Sequence, residues 1–171
     1  ILDQDCEPLE IIFSDDCSTD ATYELLKSIA RSYEGRHRVI VRQNEHNLGI
    51  GAHLNAIIAQ ASGELLIAAA GDDISFPHRA TRIIKAWDDH KNRIDLISSH
   101  CQRMSRDGSL GEVIKTDRLD HQTPEGWLTS RPYVIGATHA FTRRLHSHFG
   151  DFIEGVVNED QVCVFRSLCL G

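Results

Sequence analysis

Asp72 and Asp73 stand side by side in AAAGDDISFPHRA (68–80), where an apolar run ends and Pro77 leads into a helical pattern. Adjacent carboxylates repel, and a divalent cation relieves that repulsion. Mg²⁺ and Mn²⁺ take oxygen ligands in octahedral geometry, often only one or two from protein, with water and substrate phosphate as the rest. Asp72 and Asp73 are therefore candidate metal ligands, and the chemistry they would serve is the handling of a diphosphate. DDCSTD (15–20) is a second acidic cluster. Ser18, Thr19 or Asp20 can cap the helix that follows. Asp15 and Asp16 precede the cap, and either could accept a hydrogen bond from a nucleobase N–H or a ribose hydroxyl. The loop NEHNLGIG (44–51) offers a close-approach backbone at Asn47, Gly49 and Gly51. Asn55 lies inside the helix beyond it and has a plain surface role as its alternative. NED (158–160) places Glu159 and Asp160 at a helix start, where the macrodipole favours them. A carboxylate held near an acceptor hydroxyl could also serve there as general base. Helix capping is the competing explanation for each acidic cluster.

Elements must position these side chains. EIIFS (10–14) reads as a strand. Leu25, Leu26, Ile29, Ala30 and Tyr33 recur at helical spacing and predict an amphipathic helix over 21–33. HRVIVRQ (37–43) is a second strand. Leu54, Ile57, Ile58 and Ala61 mark a helix that stops at Ser62-Gly63. ELLIAAA (64–70) is a third strand, continuously apolar as when helices cover both faces. Pro77 suits a first helical turn, and Ala80, Ile83, Ile84 and Trp87 carry that helix inward. IDLISSH (94–100) is a fourth strand.

Strand–helix–strand thus repeats three times in the first hundred residues. That pattern predicts an α/β fold with a mostly parallel, Rossmann-like sheet flanked by helices. Ligands of such sheets sit beyond the carboxyl ends of the strands. DDCSTD and GDD each follow a strand, so both fall on that rim. After residue 100 the texture is more irregular. Asp107-Gly108 signals a hairpin, and PEGWLTS (124–130) a short helix. YVIGATHAFTRR (133–144) contains a strand with Gly136 at its centre, FGDFIEG (149–155) is a loop, and 158–171 is a helix. We read one domain over 1–171, with a nucleotide-binding half (1–100) and an acceptor-side half (101–171).

Composition narrows the classes. The chain has 171 residues, 41% of them hydrophobic, enough for a real core. A net charge of −7 argues against nucleic acid as the main partner. No run approaches the roughly 18 apolar residues of a membrane span, and no signal peptide is evident. Membrane association is expected only through segments outside this chain. Five cysteines without a CxxC pair suit a reducing cytosolic compartment. The histidines lack zinc spacing; His146-x-His148 could face one way on a strand, with surface histidines as the plainer reading. ILDQDCEPLE opens without Met, as a fragment would.

Together, LDQDCEPLEIIFSDDCSTDATYELL, NEHNLGIGAHLNAIIAQASGELLIAAAGDDISFPHRA, GATHAFTRR and NEDQVCVFR resemble the family 2 glycosyltransferases with the GT-A fold. The likeness covers nearly the whole chain in the family's order. It implies that Asp16, with Asp15, contacts the nucleoside. GDD falls where the family carries its DxD motif, with Ala70 at the first aspartate and Asp72 at the last. Asp72, with Asp73 beside it, would then ligate Mn²⁺ or Mg²⁺ bridging the diphosphate. Asp160 would be the general base, with Glu159 as the fallback. A nucleotide-diphosphate sugar is the implied donor, and a glycan or lipid-linked hydroxyl the acceptor. The site would lie in the cytoplasm, at or near the inner membrane face. The family's first strand and following loop are missing before Ile1. The QxxRW signature of processive members is absent, which favours a non-processive, inverting transferase. Two other readings compete: a sugar nucleotidyltransferase and a non-catalytic nucleotide- or carbohydrate-binding module. NLGIG carries no basic residue between Asn47 and Gly51, which speaks against the first.

Overall fold

The computed structural model describes residues 1–91 and 93–171. β1 (Glu10–Asp15) pairs in parallel with β2 (Arg38–Gln43), in register from Glu10↔Arg38 to Asp15↔Gln43. Their crossover is α1 (Thr22–Ser32). Asp20 starts it by accepting from the Thr22 amide at 2.9 Å, one of the N–H groups a helix start leaves without a partner. α2 (Gly49–Gln60) follows β2. Its last carbonyls are gathered by Arg143, whose guanidinium donates to Ile58 O (3.3 Å), to Gly63 O (3.1 Å) and to Ala61 O. A cation there complements the negative end of the helix dipole.

β3 (Leu65–Ile67) is shorter than the strand expected over 64–70. Its ladder partner, β7 (Ala140–Thr142), offers only three residues, Leu65↔Thr142 to Ile67↔Ala140. One more bond, Ala68 N to His139 O at 2.9 Å, closes the ladder. Beyond it Ala69 is exposed, and Leu65–Ile67 stay part-buried rather than covered on both faces. β4 (Leu96–Ile97), also shorter than its run, pairs with the other edge of β7. β7 is antiparallel to both neighbours, so β3–β7–β4 is an antiparallel three-stranded sheet in which the second half of the chain returns between β3 and β4, beside the separate parallel pair β1–β2.

α3 (Arg79–Asp89) begins after His78, which leaves Pro77 just outside the helix instead of in its first turn. β5 (Cys101–Met104) and β6 (Leu110–Ile114) form the hairpin expected at Asp107-Gly108. α4 (Pro124–Thr129) carries Pro at its first position and is capped by Thr123 Oγ1, which accepts from Gly126 N at 3.0 Å.

Within 133–144 only β7 is strand. Gly136–Thr138 instead forms a 3₁₀ turn, closed by the Thr138 hydroxyl donating to Ile135 O at 2.8 Å. α5 (Arg143–Phe149) was not anticipated; Thr142 Oγ1 caps it, accepting from Leu145 N at 3.1 Å. His146 and His148 therefore sit on a helix, not a strand. α6 (Glu159–Leu170) completes the chain.

The core joins both halves. Ile58 of α2 packs with Phe141, Leu145, Phe152 and Cys163, and Leu54, Leu66, Leu96, Val156, Val162 and Leu170 close around them. Burial pushes the Cys163 thiol up to about 12, so it behaves as a small apolar group. Asp95 is buried beside β4. It is matched by the Thr142 hydroxyl and by both arms of the Arg144 guanidinium, which meets the requirement that a buried charge be paired.

Candidate active site

β1 ends at Asp15, and its carboxylate is buried there. Asp15 Oδ2 accepts from the Ser18 amide at 3.0 Å and from Gln43 Nε2 at 2.9 Å. Asp16 reaches across to α2. Its Oδ1 accepts from Leu48 N (2.9 Å) and Asn44 Nδ2 (2.6 Å), and its Oδ2 from Gly49 N (3.0 Å). His53 Nδ1 lies 3.2 Å from Oδ1. A carboxylate thus caps a helix start more than thirty residues away in sequence, where the first amides and the dipole both favour a negative charge. Gly49 makes this possible with φ +72, a left-handed backbone open mainly to glycine.

Asn47 serves the same corner, donating to Asp16 O at 3.1 Å and accepting from Gly49 N at 3.2 Å. Asn55 faces elsewhere. It exchanges two 2.9 Å hydrogen bonds with the Phe152 backbone and so ties α2 to the loop before α6.

Burial alone would raise the Asp16 carboxyl, but the bonds from Leu48, Asn44 and His53 hold it below the usual carboxylate range. Asp15 behaves alike through Ser18 and Gln43. A depressed folded-state pKa contributes stability that is present above the unfolded value, about 3.9, and is lost as pH falls through the folded one. Thermal melts should therefore show an acid limb below about pH 4. Asp16→Asn should cost about 1–2 kcal/mol at pH 7 and flatten part of that limb, with Asp15 supplying the remainder. Melts of equal stability at pH 7 would remove Asp16 from this role.

The GDD loop follows β3. Asp72 and Asp73 are both exposed. Among the described residues no three His, Cys, Asp or Glu side chains converge to hold a metal by themselves. Two oxygen-bearing side chains suit a Mg²⁺ or Mn²⁺ ion that completes its shell with water and phosphate. Arg79, the first residue of α3, is part-buried behind this loop. Its Nη2 donates to Ala68 O at 2.7 Å and to Ala137 O at 2.9 Å. Asp73 is the acidic group whose field acts on it.

Glu159 and Asp160 form the first turn of α6, against the 3₁₀ turn. A methyl group on Gly136 would lie 3.1 Å from Asp160 Cβ and 3.1 Å from Glu159 Oε1, so a side chain there would need these neighbours to give by a few tenths of an ångström. Burial pushes the Glu159 carboxyl up, and the adjacent Asp160 charge adds to the rise. Asp160 Oδ1 accepts from Gln161 N at 2.7 Å. His139 is 2% exposed, and its Nε2 has no hydrogen-bond partner among the described residues. Burial holds its imidazole toward the neutral form, against the pull of Asp160. The GDD loop, the 3₁₀ turn and the start of α6 thus meet through Arg79 and Gly136. The Asp16 corner joins them through α2, where a methyl on Gly51 would sit 2.6 Å from Val156 in the loop before α6.

The model of the glycosyl transferase family 2 matches residues 1–150. The chain belongs to this family. EpsE of Bacillus subtilis, named as a glycosyltransferase, is 35% identical to this family 2 chain over 92 residues, 54% of the chain and 32% of EpsE. S. aureus TarS superposes with a TM-score of 0.68 at 19% identity, over 98% of the chain and 29% of TarS. The mannosyltransferase PcManGT of Pyrobaculum calidifontis, solved with GDP-Man and Mn²⁺, gives 0.69 at 18% identity, over 94% of the chain and 44% of PcManGT. The fold is thus the GT-A type α/β fold. This family 2 chain spans between 24% and 41% of the length of the curated relatives it matches. None of its helices, among the described residues, is long and apolar enough to cross a membrane.

Two side chains at this rim escaped the sequence reading. His139 lies inside GATHAFTRR, but nothing in its spacing announces a buried imidazole. Arg79 did leave a signal: a cation in the first turn of a helix opposes the dipole, so its presence there asks for another cause.

Proposed function

We propose that this chain transfers a sugar from a nucleotide-diphosphate sugar to an acceptor hydroxyl, with inversion at the anomeric carbon and without processivity. The observation that carries the reading is the meeting of the GDD loop, the Gly136 turn and the Glu159–Asp160 start of α6 around Arg79. Asp72, with Asp73 beside it, would hold Mn²⁺ or Mg²⁺, which when bound supplies charge neutralisation on the diphosphate. Asp16, Asp15, Asn47 and Gly49 build the corner that borders the nucleoside, and Asn55 steadies α2 behind it. Asp160 takes the acceptor proton as the hydroxyl attacks from the face opposite the leaving group; Glu159 is the alternative base. Buried His139 and part-buried Glu159 limit the access of bulk water to the proton being moved.

Five free cysteines suit a reducing compartment, and we assign the activity to the cytoplasm, at the inner membrane face, with a glycan or lipid-linked acceptor in cell-surface polysaccharide synthesis. A second reading, a non-catalytic nucleotide- or carbohydrate-binding module, is favoured by Asp15 and Asp16, whose oxygens already hold protein amides.

The deciding experiment is calorimetry of the full chain with UDP, GDP and their sugars, with and without Mn²⁺, followed by product analysis with candidate acceptors. Metal-dependent nucleotide binding with glycoside product supports transfer. Binding without product supports the module. Absence of nucleotide binding overturns both.

A further inference from the structure

We propose that Arg79 is a positioning residue that sets the metal-side loop and the base-bearing helix in register with one guanidinium. The inference rests on the functional reading above. Its structural basis is that Arg79 grips the GDD loop from both ends and the opposing turn from behind. Nη2 donates to Ala68 O, two residues before Ala70, at 2.7 Å. Nη1 lies 3.3 Å from Ser75 Oγ, two residues after Asp73. The same Nη2 donates to Ala137 O at 2.9 Å. Ala137 adjoins Gly136, which packs so near Asp160 and Glu159 that an added methyl would lie 3.1 Å from each. A shift of Arg79 therefore moves Asp72 relative to Asp160.

Charge does not explain the residue. Position one of α3 is electrostatically adverse for a cation, and burial works against the charged form, with only the field of Asp73 in its favour. Among the described residues Arg79 makes no ion pair with a carboxylate; its recorded bonds go to two carbonyls and a hydroxyl. A planar fork with five donors in fixed directions can bridge three segments at once; a lysine ammonium of the same charge cannot reproduce that reach. The carbonyl of Ala68, left unpaired when β3 runs out of ladder, is a ready acceptor for it.

Arg79→Lys and Arg79→Gln in the full chain test this. Amide hydrogen exchange is read at Ala68 and Asp73 on one side and at Thr138 and His139 on the other, all of which donate backbone hydrogen bonds. The expected result is a joint loss of protection of about tenfold in both segments, with the β1–β2 amides unchanged. In transfer assays run well below the melting temperature, kcat falls about 30-fold or more in both variants while donor KM moves less than about threefold. Should the Gln variant fail to fold, the Lys variant decides alone. Unchanged exchange, loss in one segment only, or a Lys variant with wild-type kcat would overturn the proposal. A wild-type chain that transfers nothing sinks the functional reading instead, and the exchange pattern still decides the strut.

Discussion

Asp160→Asn is expected to lower kcat by about 10²–10⁴-fold while nucleotide binding in Mn²⁺ stays within about twofold of wild type. The substitution is nearly isosteric. Asn keeps an oxygen that can accept from Gln161 N, the 2.7 Å bond of Asp160 Oδ1, so α6 keeps its first turn. What disappears is a basic oxygen at the meeting point of the rim. Glu159→Gln is the partner experiment, because burial pushes the Glu159 carboxyl up and favours its taking a proton. If the large loss follows Glu159 and spares Asp160, the base is Glu159. If Asp160→Asn and Glu159→Gln both retain turnover, neither carboxylate takes the proton.

Asp72→Ala is expected to weaken Mn²⁺-dependent nucleotide binding about 30-fold, equivalent to about 2 kcal/mol, and to leave the melting temperature nearly unchanged. Both halves of that expectation come from exposure. Asp72 is open to solvent, and an exposed side chain away from caps and core changes stability by no more than about 0.5 kcal/mol. Removing one of two adjacent negative charges also lessens their repulsion in the metal-free chain. Calorimetry with and without Mn²⁺ separates the effects: binding that is equally weak in both wild-type conditions, or unaffected by the substitution, moves the metal away from Asp72. Asp73→Asn should do less to the metal, since Asp73 also acts on Arg79.

Periodicity made the helices on either side of the acidic loops legible, because Leu26 with Ile29, Leu54 with Ile58, and Ala80 with Ile83 recur at the spacing of one inward face, although Leu25 of the same pattern is 60% exposed. Strand lengths were less legible. ELLIAAA carries six apolar residues in a row and IDLISSH three of seven, but a strand lasts only as long as its partner, and β7 is three residues long. Nothing local reveals that partner, which arrives from some seventy residues downstream in β3's case. α5 was missed because RRLHSHF reads as polar surface, although Leu145 and His146 turn inward. The acidic clusters marked candidate site positions, and the family resemblance supplied the roles proposed for them. The sequence did not reveal that Asp16 would be held by amides 32 and 33 residues away, or that Asn55 would grip Phe152 at a separation of 97. Such pairings depend on the finished topology rather than on neighbouring residues.

The moorings of α2 carry a consequence for how the chain is made. Its Asn55 awaits Phe152, and its last carbonyls await Arg143, 80 to 85 residues later. At ribosomal speeds of about 5–20 residues per second, the helix emerges roughly 5–20 s before its anchors. During that interval its apolar face and unmatched carbonyls are open to chaperones and to neighbouring nascent chains. The native setting of α2 therefore waits on the second half of the chain, because Asn55 and these carbonyls find their partners only in Phe152 and Arg143.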